Sequence, residues 1–279
     1  MTVSTFAPAK VNLSLNITGR RADGYHLLHS LVVFTTDIGD RITVEPAPEL
    51  SLRVTGPAAK GIPTGFGNIV LRAARLLQVA RKADQGATIH LEKHLPHAAG
   101  IGGGSSDAAA TIKALAQLWG VKPLTGSEAL ELGADVPVCL AGPKAQLMSG
   151  IGDEVSPASA FPKLWLVLVN PRVEVPTGLV FRAFAGSPFS HPSDLDFVGD
   201  PNWLAAQKND LLDPALAVAP GIGDVIATLN AYDPMACNLS GSGATVWAAF
   251  PDQDSAEKAA EKTRQACADW WVESSAIAT

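Results

Sequence analysis

Cysteine is scarce in this chain. Three cysteines, Cys139, Cys237 and Cys267, are spread over 279 residues, and no two form a CxxC pair. Their number and spacing exclude a disulfide framework and read as reduced thiols. Charge is also sparse, at 17 % of residues with a net charge of −6. A broad basic surface is therefore missing, which excludes an extended nucleic-acid or anionic-membrane interface. Long apolar runs are absent too. The most apolar short stretch, Leu164 to Val169, is far below the roughly 20 residues that span a bilayer. The opening MTVSTFAPAKVNLSL has no basic region followed by a long apolar run, so it does not read as a secretion signal. With 47 % hydrophobic residues the chain is globular, with material for two domains. The expectation is a cytoplasmic protein with no nucleic-acid or membrane partner.

The familiar nucleotide loops are missing as well. No lysine follows the glycines in the GxxxxGK[ST] spacing, and no GxSxG elbow occurs. In a GxGxxG frame Gly100 and Gly102 fit, but Ser105 holds the place of the third glycine. His90, His94 and His97 straddle a strand and a loop with no HExxH beside them, so no metal ligands are assigned. What is present is PHAAGIGGGSSDAAA, residues 96–110. Glycines let a ligand approach main-chain N–H groups, and a helix start offers unpaired N–H donors with a partial positive charge. A strand over 87–92, a bare loop, then a helix capped by Ser105 or Ser106 and running to about Trp119 is how a chain builds an anion cradle, usually for phosphate. Asp107 in the first turn suits the helix dipole.

Residues 10–17 alternate cleanly, with Val11, Leu13, Leu15 and Ile17 apolar and Lys10, Asn12, Ser14 and Asn16 polar. Period two predicts one strand with Lys10 and Asn12 on the same face, either solvated or lining a cleft. GRRADGYH over 19–26 reads as a turn. Helices are predicted over 68–82, with Asn68 as N-cap, over about 221–231, and from an Asp254–Glu257 capping box to Trp270. Strands are predicted over 41–45, 50–54, 164–170 and after SGSG at 240–243, with a linker near 156–162 and a long loop over 187–203. LGADVP, residues 132–137, sets one acid, Asp135, in an apolar context. That is either a helix cap or structural hydrogen bond, or a group with work to do. An acid, a lysine on a polar strand face and a phosphate loop together are the parts of a phosphoryl-transfer site.

PAKVNLSL at 8–15, PHAAGIGGGSS at 96–106 and SGSGATVWAAF at 240–250 together resemble the GHMP kinase superfamily. RADGYH at 21–26 and LGADVPVCL at 132–140 narrow the resemblance to a branch whose acceptor is a cytidine diphosphate-linked methylerythritol, on the route to isoprenoid precursors. The resemblance implies an α+β fold of two domains. An S5-domain-2-like N-terminal half, 1–157, precedes a ferredoxin-like C-terminal half, 158–279, and the active site lies between them. It implies Lys10 and Asp135 as catalytic residues, with Lys10 keeping Asp135 ionised. Pro96, His97, Ala98, Ala99, Gly100, Ile101, Gly102, Gly103, Gly104, Ser105 and Ser106 match the loop around the ATP phosphates. Lys93 and Asn68 match positions on the nucleotide side. Asn12, Tyr25 and His26, with Thr177 and Phe181, match the pocket for the cytidine substrate. ATP and Mg²⁺ are implied as co-substrate and metal, with Ser105 or Ser106 toward the metal, and a monomer or weak homodimer as the assembly. The alternatives are a GHMP kinase for a small alcohol such as homoserine or mevalonate, and a non-catalytic nucleotide sensor. The aromatic–histidine pair at 25–26 argues against the former, and the presence of both Lys10 and Asp135 against the latter.

Overall fold

A computed structural model describes residues 1–159, 162–192 and 202–279. In chain order its elements are β1 (Val3–Asn12), β2 (Asn16–Arg20), β3 (His26–Ala47), β4 (Ser51–Thr55), α1 (Ile69–Arg81), β5 (Gly86–Glu92), α2 (Gly103–Trp119), the single-turn α3 (Gly126–Ala129) and α4 (Val136–Ala141). There follow β6 (Gln146–Gly150), β7 (Glu154–Pro157), β8 (Trp165–Asn170), α5 (Thr177–Phe184), α6 (Leu212–Val218), α7 (Gly221–Asn230), β9 (Ala236–Leu239), β10 (Val246–Phe250), α8 (Gln253–Ala266) and β11 (Trp271–Ala276). The chain forms two compact units that interleave in sequence. One comprises residues 1–9, 38–97 and 102–142, the other 10–37, 98–101 and 143–279.

In the first unit β5 pairs antiparallel with the end of β3 and parallel with β4. Helices α1 and α2 bury Leu71, Leu77, Ile112 and Leu115 in one core with Ile42, Val44, Ile89 and Leu91 of the strands. The period-2 and period-3.6 apolar patterns meet there, which is what brings the two kinds of element together. Asn68 caps α1 as predicted: its side chain accepts from the Val70 N–H at 2.9 Å. Helix α2 begins earlier than predicted. Gly102, with φ of 62°, is its N-cap and makes no side-chain cap, so Ser105 and Ser106 lie inside the first turn rather than capping it. A glycine in the left-handed region lets the loop enter the helix without a capping hydroxyl.

In the second unit the beginning of β3 pairs with β2 and β6, and β6 pairs with β7. A separate antiparallel sheet has the order β11-β8-β10-β9. In chain order that is 4-1-3-2, with α7 and α8 in the crossovers, the ferredoxin-like arrangement the resemblance implied. Its core joins Val167, Val169, Val246 and Ala248 to Val180, Phe184, Ile222, Val225 and Leu229.

Three further expectations are corrected. The strand predicted over 10–17 is two strands, interrupted where Leu13 donates its N–H to the Leu31 carbonyl and Leu15 pairs with Asn209. Both of its faces are buried, so the solvated alternative is excluded. The last helix is capped by Asp252, whose carboxylate accepts from the Ser255 N–H at 2.8 Å. That helix stops at Ala266, because residues from Trp271 onward are taken by β11 beside β8. Helices α5 and α6 were not predicted; each is under three turns, too short for periodicity to show. Residues 160–161 of the expected linker and 193–201 of the expected loop lie outside the described residues.

Candidate active site

The glycine loop is built by its backbone. Ala98, Gly100 and Gly102 all have positive φ, at 49°, 75° and 62°. Three consecutive carbonyls are turned into the protein. Ala99 accepts from the Thr245 N–H at 3.1 Å, Gly100 from the Ser240 hydroxyl at 2.9 Å, and Ile101 from the Lys10 N–H at 2.9 Å. A chain segment whose carbonyls are engaged on one side is left with N–H groups for the other, the arrangement that binds anions. The same bonds give the SGSG turn a role its sequence left open: it supports the loop. A Cβ on Gly100 would land on the Ser240 carbonyl oxygen, so only glycine fits there.

Lys10 and Asn12 share a buried face, as the alternation predicted. The Lys10 ammonium donates to Asn12 Oδ1 at 2.8 Å. Asn12 is held on every side. Its Nδ2 donates to the Ser30 hydroxyl at 2.8 Å, its N–H to Ser240 Oγ at 3.2 Å, and its carbonyl accepts from the Trp247 indole at 2.9 Å. Asn12 thus orients Lys10, a task the sequence did not reveal. Ser30, Ser240 and Trp247 lie 18, 228 and 235 residues from it, so no local pattern marked them.

His26 stacks on Phe181 with ring centroids 4.9 Å apart and meets Phe184 edge-on at 5.8 Å. Burial, with the nearby Arg20 charge, lowers the His26 pKa, which favours the neutral ring. Tyr25 stands exposed at the end of the turn, its carbonyl accepting from the Arg21 N–H at 2.7 Å. The Thr177 hydroxyl lies 2.9 Å from that of Ser242 in the SGSG turn.

The remaining residues belong to the first unit. Asp135 occupies the N-cap position of α4, but its side chain makes no capping bond, so the helix-cap reading fails. Lys113 of α2 holds the far end of that short helix, donating to the Cys139 and Gly142 carbonyls at 3.4 and 3.3 Å. Its burial lowers the ammonium pKa. Lys93 is 3 % exposed and donates to Asp40 Oδ2 at 2.5 Å and to Asp107 Oδ2 at 2.7 Å. Burial would lower the lysine pKa, but the two carboxylates outweigh it and raise it. Burial pushes Asp107 up to about 8. Asp40 went unremarked in the sequence, since nothing local distinguishes it from any polar strand residue. Asn68, besides capping α1, donates to the Pro63 carbonyl at 2.7 Å. Among the described residues no cluster of three or more His, Cys, Asp or Glu is arranged to hold a metal, and no helix is long and apolar enough to cross a membrane.

Known proteins resemble this chain along its whole length. Residues 68–153 match the family model for the GHMP kinases N terminal domain, and residues 198–269 that for the GHMP kinases C terminal domain. A 4-diphosphocytidyl-2-C-methyl-D-erythritol kinase of Cereibacter sphaeroides (strain ATCC 17025 / ATH 2.4.3) is 50 % identical, with 98 % of each chain covered. A crystal structure of a 4-(cytidine 5'-diphospho)-2C-methyl-D-erythritol kinase superposes with a TM-score of 0.81 at 34 % identity, covering 99 % of both chains. A homoserine kinase from Cytophaga hutchinsonii, at 19 % identity and a TM-score of 0.75 over 100 % of this chain and 95 % of its own, shares the fold. The chain belongs to the GHMP kinases, in the branch of the 4-diphosphocytidyl-2-C-methyl-D-erythritol kinases.

Proposed function

We propose that Lys10 and Asp135 carry the reaction of this family in this chain. The reaction is transfer of the γ-phosphoryl group of ATP to the 2-hydroxyl of 4-diphosphocytidyl-2-C-methyl-D-erythritol. The chain is an ATP-dependent kinase of this kind, since the identity to kinases so named reaches 50 % over the full length. The observation that carries the residue assignment is the loop at 96–106, whose carbonyls are engaged by Thr245, Ser240 and Lys10.

The N–H groups of that loop and of the first turn of α2 bind the phosphate oxygens and stabilise charge on them as the phosphoryl group moves. Asp135 takes the proton of the attacking hydroxyl. Lys10, held by Asn12, supplies positive charge that shields the phosphate oxygens. Asn68 and Lys93 serve the nucleotide side. Asn12, Tyr25, His26, Thr177 and Phe181 receive the cytidine diphosphate acceptor, with the aromatic rings offering flat faces to a base. Mg²⁺ prefers oxygen ligands and is bound largely through nucleotide phosphates. The hydroxyl of Ser105, half-buried where Ser106 is 2 % exposed, is an oxygen donor of the right kind at the helix start. When bound, the ion neutralises phosphate charge. Residues 1–157 and 158–279 are the two halves of the family fold, a division the family matches at 68–153 and 198–269 support. The protein acts in the cytoplasm as a monomer or weak homodimer.

The test is ATP- and Mg²⁺-dependent phosphorylation of the cytidine compound beside homoserine and mevalonate, with wild type and Asp135→Asn. Turnover of the cytidine compound alone is expected, with kcat reduced about 10²- to 10⁴-fold in the variant. Turnover of a small alcohol instead would discard the acceptor-pocket assignment. An undiminished Asp135→Asn enzyme would discard the proton acceptor.

A further inference from the structure

Three buried ionisable groups, Asp40, Lys93 and Asp107, stand where the glycine loop is anchored, and the reaction as described uses only Lys93, on the nucleotide side. Asp40, on β3, accepts with Oδ1 from the N–H groups of His94 and Leu95 at 2.6 and 2.9 Å, and with Oδ2 from the Lys93 ammonium. One carboxylate thereby fixes three consecutive residues immediately before the loop. Lys93 reaches onward to Asp107, in the second turn of α2, at 2.7 Å. The ammonium also abuts the first residue of the helix, since a Cβ on Gly103 would lie 3.2 Å from Lys93 Nζ and 3.5 Å from Leu95 Cδ1. Residues 93–95 are the entrance of the loop and residues 103–107 its exit, so Asp40, Lys93 and Asp107 tie one to the other. Asp40 and Asp107 are completely and almost completely buried. Ionisable groups this deep need a partner, and each here has one, with only Asp107 Oδ1 left without a hydrogen bond.

We infer that Asp40, Lys93 and Asp107 form a hydrogen-bonded clasp that sets the spacing between the two ends of the phosphate loop, making Asp40 and Asp107 positioning residues for ATP. Lys93 then acts on the nucleotide through the loop it holds. The reason is geometric. A glycine-rich loop has little intrinsic preference for one shape, so its shape is set by how far apart its ends are held. N–H donors displaced by a fraction of an ångström lose their aim on phosphate oxygens, and misplacements of that order carry large rate and binding effects. The inference rests on the assignment of residues 96–106 to ATP.

The experiment compares wild type, Asp107→Ala and Asp107→Asn. Removing Asp107 leaves Lys93 paired with Asp40, so no charge is stranded and the chain keeps its fold; thermal unfolding checks this. The asparagine oxygen still accepts from Lys93, so that variant retains the tie. Steady-state kinetics with each substrate varied are expected to show KM for ATP raised about tenfold in Asp107→Ala, KM for the cytidine acceptor and kcat changed less than about twofold, and Asp107→Asn near wild type. Amide hydrogen exchange over 96–106 is expected to quicken in the alanine variant alone. Unchanged KM for ATP with unchanged exchange would overturn the clasp. So would a loss spread equally over kcat and both KM values, or an asparagine variant as impaired as alanine. The exchange experiment on wild type with and without ATP separates the two levels. If ATP leaves 96–106 unprotected, the loop assignment itself fails and the clasp with it. Protection of the loop in wild type, with a silent Asp107→Ala, sinks the clasp alone.

Discussion

Replacing Gly100 by alanine tests whether the glycine loop is pinned backbone against backbone. The perturbation has two parts. Gly100 has φ of 75°, where an L-residue is strained by about 1–2 kcal/mol. The added methyl would also meet the Ser240 carbonyl oxygen, and lie 2.7 and 2.9 Å from the carbonyl oxygen and the nitrogen of Gly243 in the supporting turn. These are main-chain atoms, which cannot swing aside as a side-chain end can. Relief requires the loop and the 240–243 turn to part, at an overpacking cost of about 1–3 kcal/mol. Parting also strains the bond from Ser240 Oγ to the Gly100 carbonyl, worth about 1 kcal/mol. The expected total is about 3–6 kcal/mol, a large share of the roughly 5–15 kcal/mol by which domains are stable. Gly61 is the matched control, since its φ is 83° yet nothing lies within 4 Å of its missing Cβ. Gly61→Ala should therefore cost only the backbone part, about 1–2 kcal/mol. Urea unfolding of both variants, with midpoints compared at equal slope, reads the difference. Equal midpoint shifts would refute this reasoning, because the contact with Ser240 and Gly243 would then be soft.

Two further predictions concern other parts of the molecule. Glu128 accepts from both terminal nitrogens of Arg81, at 2.8 and 2.7 Å, and from the Thr125 N–H at 2.7 Å in a capping box. The Arg81 bond first, then the Thr125 N–H, brings its carboxyl down to about 2. A depressed acid contributes stability above its unfolded pKa, near 4.5, and loses it as pH falls toward 2. The pair is part-exposed, so Glu128→Gln should cost about 0.5–1 kcal/mol at pH 7 and progressively less below about pH 4, by urea unfolding at each pH. Phe181→Ala removes the ring stacked on His26. A stacked pair contributes about 0.5–1.5 kcal/mol, so KM for the cytidine acceptor should rise about 2- to 10-fold with KM for ATP unchanged. A rise in the ATP value instead would move these rings out of the acceptor pocket.

Much of this protein was legible from neighbours in sequence. Asn68 as a cap, the apolar face of α1, the shared face of Lys10 and Asn12, and the bare loop before a helix all rest on relations a few residues apart. Such relations are what a helix or strand period encodes. The motifs around Lys10, Gly102 and Asp135 carried the family for the same reason: each is a short contiguous string. The start of α2 was misjudged at this scale, because a left-handed glycine at 102 did what a serine cap usually does.

Only the tertiary structure decided the rest. The break at Leu13 depends on Leu31 and on Asn209 beside Leu15, and the aim of Lys10 depends on Asn12 being held by Ser30, Ser240 and Trp247. The role of Asp40 depends on Lys93, 53 residues away. In the strand an aspartate reads the same whether it meets water or a buried ammonium. Its chemistry is set by what folding brings against it, and a hydrogen bond between distant residues leaves no periodic trace along the chain.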